Sequence, residues 1–200
     1  MVKPQRSTAC FRVEPRASES KVRFKSEYLH CDSTRWLQTS EIGEIETCIA
    51  NVPWIPNANQ AKYNEILRSE FIKLSWMPSP KLYDKESGSL VAPRLDLDYC
   101  FQNPPTLNLY GDFRKGVVFV EVEFGNRASV FRDYFKFLCG ASFQLFELGV
   151  LIAAVDPPRF FPEGDRSIPG SMASFDYAHQ HLRVLPFTVP MLLIGLLPEN

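Results

Sequence analysis

The spacing of apolar residues changes several times along the chain, and each change predicts an element. In KVRFKSEYLH, residues 21–30, Val22 and Phe24 alternate as in a strand with one covered face. Residues 36–52, WLQTSEIGEIETCIANV, have helical character, with Ser33 or Thr34 as the cap and Pro53 and Pro56 ending the run. In AKYNEILRSEFIKLSW, residues 61–76, Tyr63, Ile66, Leu67, Phe71 and Leu74 recur at the spacing of one helix face. The loop MPSPKLYDKESGSL separates that helix from two strand candidates, RLDLDYCF and PTLNLYGDF. Arg114-Lys115-Gly116 then predicts a turn into the strand VVFVEVEF.

The second half reads more simply. NRASVFRDYFKFLCGASFQLFE carries Val130, Phe131, Tyr134, Phe135 and Leu138 at the spacing of a single apolar helix face. GVLIAAV is a short unbroken apolar run, as expected of a strand covered on both sides. A Pro/Gly-rich loop over residues 157–171, a helix SFDYAHQHLRVL and a buried strand PMLLIGLL complete the order, with no internal repeat. This succession predicts an α/β (α+β) fold with a central mixed sheet and helices on both faces. Residues 1–20 read as an N-terminal extension that is free to move, and residues 21–200 as one domain.

Composition restricts the function classes only modestly. The 200 residues are 45% hydrophobic and 22% charged, with a formal charge of -1, which excludes a polycation but leaves room for a local basic face. Five cysteines lack CxxC spacing, as free thiols in a reducing cytoplasm would. The basic, polar first twenty residues lack the apolar core of a secretion signal, and LGVLIAAV and VPMLLIGLL are too short to span a bilayer. A soluble intracellular protein is therefore expected.

The candidate chemistry lies in VFVEVEFGN. Strand alternation sends Glu121 and Glu123 to the same face, opposite Val120, Val122 and Phe124. Two carboxylates side by side resist ionisation unless a positive partner joins them, and a hard divalent cation such as Mg²⁺ is a suitable one. The competing reading is the solvated face of an edge strand. Asp112, before the turn, is a third acid able to converge on the pair. His179 and His181 are two residues apart on a predicted helix, so they do not share a face and read as surface or packing residues.

DFRKGVVFVEVEFGNRASVFRDYFKFLCG resembles the active-site region of type II restriction endonucleases of the PD-(D/E)xK superfamily, in the BamHI/BglII/BstYI branch that cuts around a GATC core. The similarity extends to GVLIAAVDPPRFFPEGDRSIPG, to MLLIGLLPEN and to NEILRSEFIKLSW, covering about residues 20 to 198. It implies a restriction-endonuclease-like fold and Mg²⁺-dependent hydrolysis of double-stranded DNA at a short palindrome, leaving a 5′-phosphate and a 3′-hydroxyl; the alternatives are a repair or mobile-element nuclease of the same superfamily and a catalytically inactive DNA-binding protein on this fold. Asp112, Glu121 and the main-chain carbonyl of Val122 would hold the metal, and Glu123, at the family's variable third position, would act as general base or hold the attacking water by hydrogen bond. Asp96 and Asp98 are rivals to Asp112, which is preferred on its spacing to Glu121, and Glu70 is a possible fourth acid.

Asn126, Arg127, Asp165, Arg166 and Ser171 take the DNA-contacting positions, with helix capping as the plainer role for Asn126 and Ser171. Arg166 has the plainer alternative of a phosphate contact or a surface salt bridge. Arg114, Lys115, Arg127, Arg132 and Lys136 would supply a phosphate-contacting surface. The resemblance further implies a homodimer joined partly through the Phe131–Leu138 helix, no nucleotide cofactor, no membrane, and the cytoplasm of a prokaryote.

Overall fold

The computed structural model describes residues 21–78, 111–162, 171–185 and 187–198. Asp96, Asp98, Asp165, Arg166, the N-terminal extension and most of the two strand candidates before Phe113 lie outside them. Within them, six strands form one mixed sheet in the order β1-β6-β5-β4-β3-β2. The strands are β1 (Arg23–Leu29), β2 (Met77–Pro78), β3 (Phe113–Lys115), β4 (Val118–Glu123), β5 (Leu148–Ala154) and β6 (Met191–Leu197). Strands β4, β5 and β6 run parallel; β1 pairs antiparallel with β6, β3 with β4, and the short β2 with β3.

The helices are α1 (Ser40–Ala50), α2 (Gln60–Lys73), α3 (Ser129–Ser142), α4 (Pro157–Phe160) and α5 (Phe175–Val184). Alternation along the parallel strands divides the core in two. Val118, Val120, Val150, Ile152, Leu192 and Ile194 meet Ile42, Ile45 and Ile49 of α1, Tyr63, Leu67 and Phe71 of α2, and Phe160 of α4. On the other face, Phe119, Leu151, Met191 and Leu193 meet Val130, Tyr134 and Phe137 of α3 and Ala178 and Leu182 of α5. Helix α3 crosses close to the sheet because Gly149 bears no side chain: a Cβ there would stand 2.7 Å from the Phe137 ring.

Several elements differ from the sequence reading. Helix α1 starts at Ser40, because Ser33–Arg35 form a separate 3-10 turn capped by Asp32, so neither Ser33 nor Thr34 caps α1. Arg114 and Lys115 lie in β3, and the turn falls on Gly116 and Val117, where Gly116 takes the positive φ of 52° that other residues avoid. The stretch read as one loop after Pro157 contains α4, whose N-terminus is capped by Asp156. The apolar face read on α3 splits in two: Tyr134 is buried with Val130 and Phe137, whereas Phe131, Phe135 and Leu138 face outward. Among the described residues no helix is long and apolar enough to cross a membrane.

Candidate active site

Strand β4 lies in the interior of the sheet, between β3 and β5, so the solvated-edge reading of its glutamates does not hold. Glu121 and Glu123 are only 2% and 5% exposed, on the face covered by α3. They continue the row begun by Phe119, at the end of the strand where apolar packing gives way to charge. A carboxylate in such a place needs partners, since burying a bare ion is far costlier than burying a hydrocarbon.

Asp112 arrives from β3. Phe113 pairs with Val120, which sets Asp112 beside the carboxyl-terminal half of β4. Its Oδ2 accepts a hydrogen bond of 2.7 Å from the Val122 N–H, supplying the partner that the end of the short strand leaves missing. The ring of Phe113 stacks on Phe71 of α2 at 4.2 Å and anchors this end of β3 in the core.

Helix α3 contributes two charged residues that the sequence reading did not place in the site. Asp133 and Lys136 are both buried and one helical turn apart. The Lys136 ammonium donates to Asp133 Oδ1 at 2.9 Å and sits 2.9 Å from Glu121 Oε1. That second contact is an ion pair, and Lys136 is the cationic partner of Glu121 Oε1. Spacing held the signal: counted from Val130, Asp133 falls at the position where a core-facing residue is due. Lys136 therefore belongs to the buried acidic cluster and not to an outer phosphate-contacting surface. Arg114 and Lys115 are likewise committed to structure, Arg114 donating to the Leu145 carbonyl and Lys115 to Glu44 and the Leu74 carbonyl.

The crowding of charge leaves its mark on protonation. Burial pushes the Asp112 carboxyl up, against the opposing hydrogen bond from Val122. Burial and then the Asp112 charge raise Glu121 well above the carboxylate range, with Lys136 opposing. Glu123 is pushed up to about 7, chiefly by burial and with a further contribution from Asp133, while hydrogen bonds from Ser129 and the Gly125 N–H pull it back. Burial draws the Lys136 ammonium down, but Glu121 and Asp133 more than offset this, so it stays charged.

These donors fit a hard divalent cation. Such an ion takes one or two carboxylates and completes its shell with waters and substrate phosphate. Asp112 and Glu121 are two neighbouring buried carboxylates, and Glu121 stays raised by burial and by Asp112 even with the Lys136 ammonium against it. Among the described residues no three His, Cys, Asp or Glu side chains gather as a cage for a metal ion. Glu70 pairs with Lys73 on α2, and its charge acts on Cys48. His179 faces Glu27 while His181 turns to the Tyr177 carbonyl, so the two diverge.

The segment after β4 meets the segment before α5. Asn126 bridges to Met172, the Arg127 N–H donates to the Ser171 carbonyl at 2.9 Å, and the Ala173 N–H donates to the Gly125 carbonyl at 2.9 Å. Three of the expected DNA-contacting residues, Asn126, Arg127 and Ser171, are thereby gathered on the exposed surface next to the acidic cluster. Asn126 also fulfils the capping role, its Oδ1 accepting from the Ala128 and Ser129 N–H groups. The Arg127 guanidinium lies over the Tyr177 ring, 5.0 Å from its centre.

A mixed sheet with an acidic interior strand and a helix lying across that strand is the architecture of restriction endonucleases. Two solved structures share the fold. The crystal structure of restriction endonuclease BglII complexed with a DNA 16-mer matches with a TM-score of 0.61 at 15% identity, over 88% of this chain and 77% of that one. The crystal structure of free BglII matches with a TM-score of 0.52 at 17% identity, over 88% and 80%. None of the curated protein sequences matches the chain. The family model described as restriction endonuclease BglII/BglIII matches residues 26–196, and the chain belongs to that family. It is a type II site-specific endonuclease.

Proposed function

We propose that this enzyme hydrolyses double-stranded DNA in a Mg²⁺-dependent reaction at a short palindrome with a GATC-like core, acting as a homodimer in the cytoplasm. The buried set of Asp112, Glu121 and Glu123 at one end of an interior strand carries the reading. A cluster of acids that raise one another is a poor stabilising device and a good seat for a cation. Asp112, Glu121 and the Val122 carbonyl would hold Mg²⁺. When bound, the ion supplies a centre of positive charge that favours build-up of negative charge on a phosphoryl oxygen.

Glu123 takes the proton of the attacking water. With its carboxyl pushed up to about 7, it is poised to accept a proton near neutrality, where a general base is most effective. The Gly125 N–H holds that carboxylate in place. Water oxygen bonds to phosphorus as the bond to the 3′ oxygen breaks, and the departing 3′ oxygen takes a proton from solvent water, leaving a 5′-phosphate and a 3′-hydroxyl. Asn126, Arg127 and Ser171, with Asp165 and Arg166, would meet the DNA, and residues 21–200 would form the single nuclease domain.

The test is digestion of a DNA of known sequence with Mg²⁺, followed by mapping of the ends. One recurrent palindromic site containing GATC, with 5′-phosphate termini, is the expected outcome. Glu121→Ala should lower cleavage by about 10²- to 10³-fold, the order of effect seen when a charge-stabilising group of an active site is lost, while DNA binding persists. Cleavage of unchanged rate in Glu121→Ala would refute the assignment.

A further inference from the structure

The buried ammonium on α3 is the feature this mechanism leaves unused. Lys136 is shielded from water, bonded to Asp133 and in charge contact with Glu121, and so already occupies part of the acidic cluster. Glu121 feels Asp112, Asp133 and Lys136 together, and among the described residues Lys136 is the ammonium in contact with the carboxylates proposed to take the metal. A cation entering beside Glu121 meets attraction from these acids and repulsion from a lysine that cannot swing into solvent. We infer that Lys136 is a resident counter-cation: it positions Glu121 and Asp133 in the DNA-free protein and keeps divalent-ion affinity low until DNA phosphate adds its own negative charge.

This rests on the reading of Asp112 and Glu121 as the cation-holding pair, and makes metal uptake and DNA binding mutually dependent. The helix supports such a role structurally. Phe137, next to Lys136, is locked between Phe119 and Phe146, and Asp133 is held by the same turn, so the ammonium has a fixed address. A flexible lysine on the surface would move aside as the ion arrived. This one holds its charge against the site.

Binding of Mn²⁺ alone to the full-length protein, followed by electron paramagnetic resonance of the free ion, tests the idea without reference to cleavage. In a mildly alkaline buffer, Lys136→Met should bind Mn²⁺ at least about tenfold more tightly than wild type, since one like charge is removed from a partly desolvated site. Lys136→Arg, which keeps the charge, should stay near wild type. A folded Lys136→Met no tighter than wild type, or a Lys136→Arg as tight as Lys136→Met, would overturn the inference. The wild-type protein offers a second route should the methionine variant fail to fold. An uncleavable phosphorothioate duplex should tighten Mn²⁺ binding by about tenfold or more, and equal affinity with and without that duplex would also overturn it. Full cleavage by Glu121→Ala would instead remove the underlying reading, so the two failures are distinct.

Discussion

Glu123 gives the residue scale its clearest consequence, because one proton governs both reaction and stability. Its carboxyl lies at about 7 against an ordinary 4.5, raised mainly by burial. As the proposed base it must be unprotonated, so cleavage should rise with pH through a midpoint near 7, which a bound cation would draw down and DNA phosphate would draw up. Stability runs the other way. The folded protein binds this proton more tightly than the unfolded chain, so the contribution is fully present below about pH 4.5 and is lost as pH rises through about 7. The amount at stake is of order 3 kcal/mol. Thermal melts of the cation-free enzyme should therefore fall from mildly acid to mildly alkaline pH, and Glu123→Gln should flatten the melt profile while abolishing cleavage. Gly125 is the neighbour to test beside it. A Cβ there would lie 2.7 Å from Glu123 Oε1, the movable end of a side chain. Gly125→Ala should thus cost little in melting temperature and at least about tenfold in kcat; a kcat equal to wild type would show that the carboxylate's place is not critical.

At the scale of elements, α3 and β4 together make the site, and Phe137 is what joins them. Its ring is fully buried and packs edge-on to Phe119 at 5.7 Å and Phe146 at 6.2 Å, directly over Gly149. Phe137→Ala should lower unfolding free energy in urea by about 3–5 kcal/mol, the usual cost of deleting a core phenyl ring; a loss under about 1 kcal/mol would mean that α3 is held from elsewhere. The legibility of these elements in the sequence follows from their physics. Strands β5 and β6 and the glutamates of β4 are readable because a short unbroken apolar run, or strict alternation, suits a covered strand better than any other element. Asp133 and Lys136 are hidden because charged letters inside a helix read as its wet face, and only the phase set by Val130 and Phe137 turns them inward. The turn at Gly116 is displaced because Arg114 and Lys115 look like loop residues until Glu44 and the Leu145 carbonyl are seen to receive them. The adjacency of Asn126 and Arg127 to Ser171 joins segments distant in sequence, which no local pattern encodes.

For the whole molecule the open question is how a chain of net charge -1 holds a polyanion and cuts both of its strands. A palindrome presents the same chemistry twice about a two-fold axis, so a symmetric pair of subunits doubles every contact and sets one acidic cluster on each strand. The outward face of α3 suits the joining surface. Phe131, Phe135 and Leu138 recur at helical spacing on the side turned away from the core, and Phe135 is 47% exposed. Apolar side chains in a continuous stripe are costly to leave in water, and a second copy of the same helix would cover them. Phe135→Glu places a charge in the middle of that stripe without touching the buried face, so the fold should persist. Sedimentation should report a dimer for wild type and a monomer for the variant at the same concentration. Supercoiled plasmid should be nicked slowly, with linear product appearing only after the nicked form, because each strand must await an independent encounter. A Phe135→Glu protein that sediments as a dimer and linearises plasmid in one step would place the subunit contact elsewhere on the molecule.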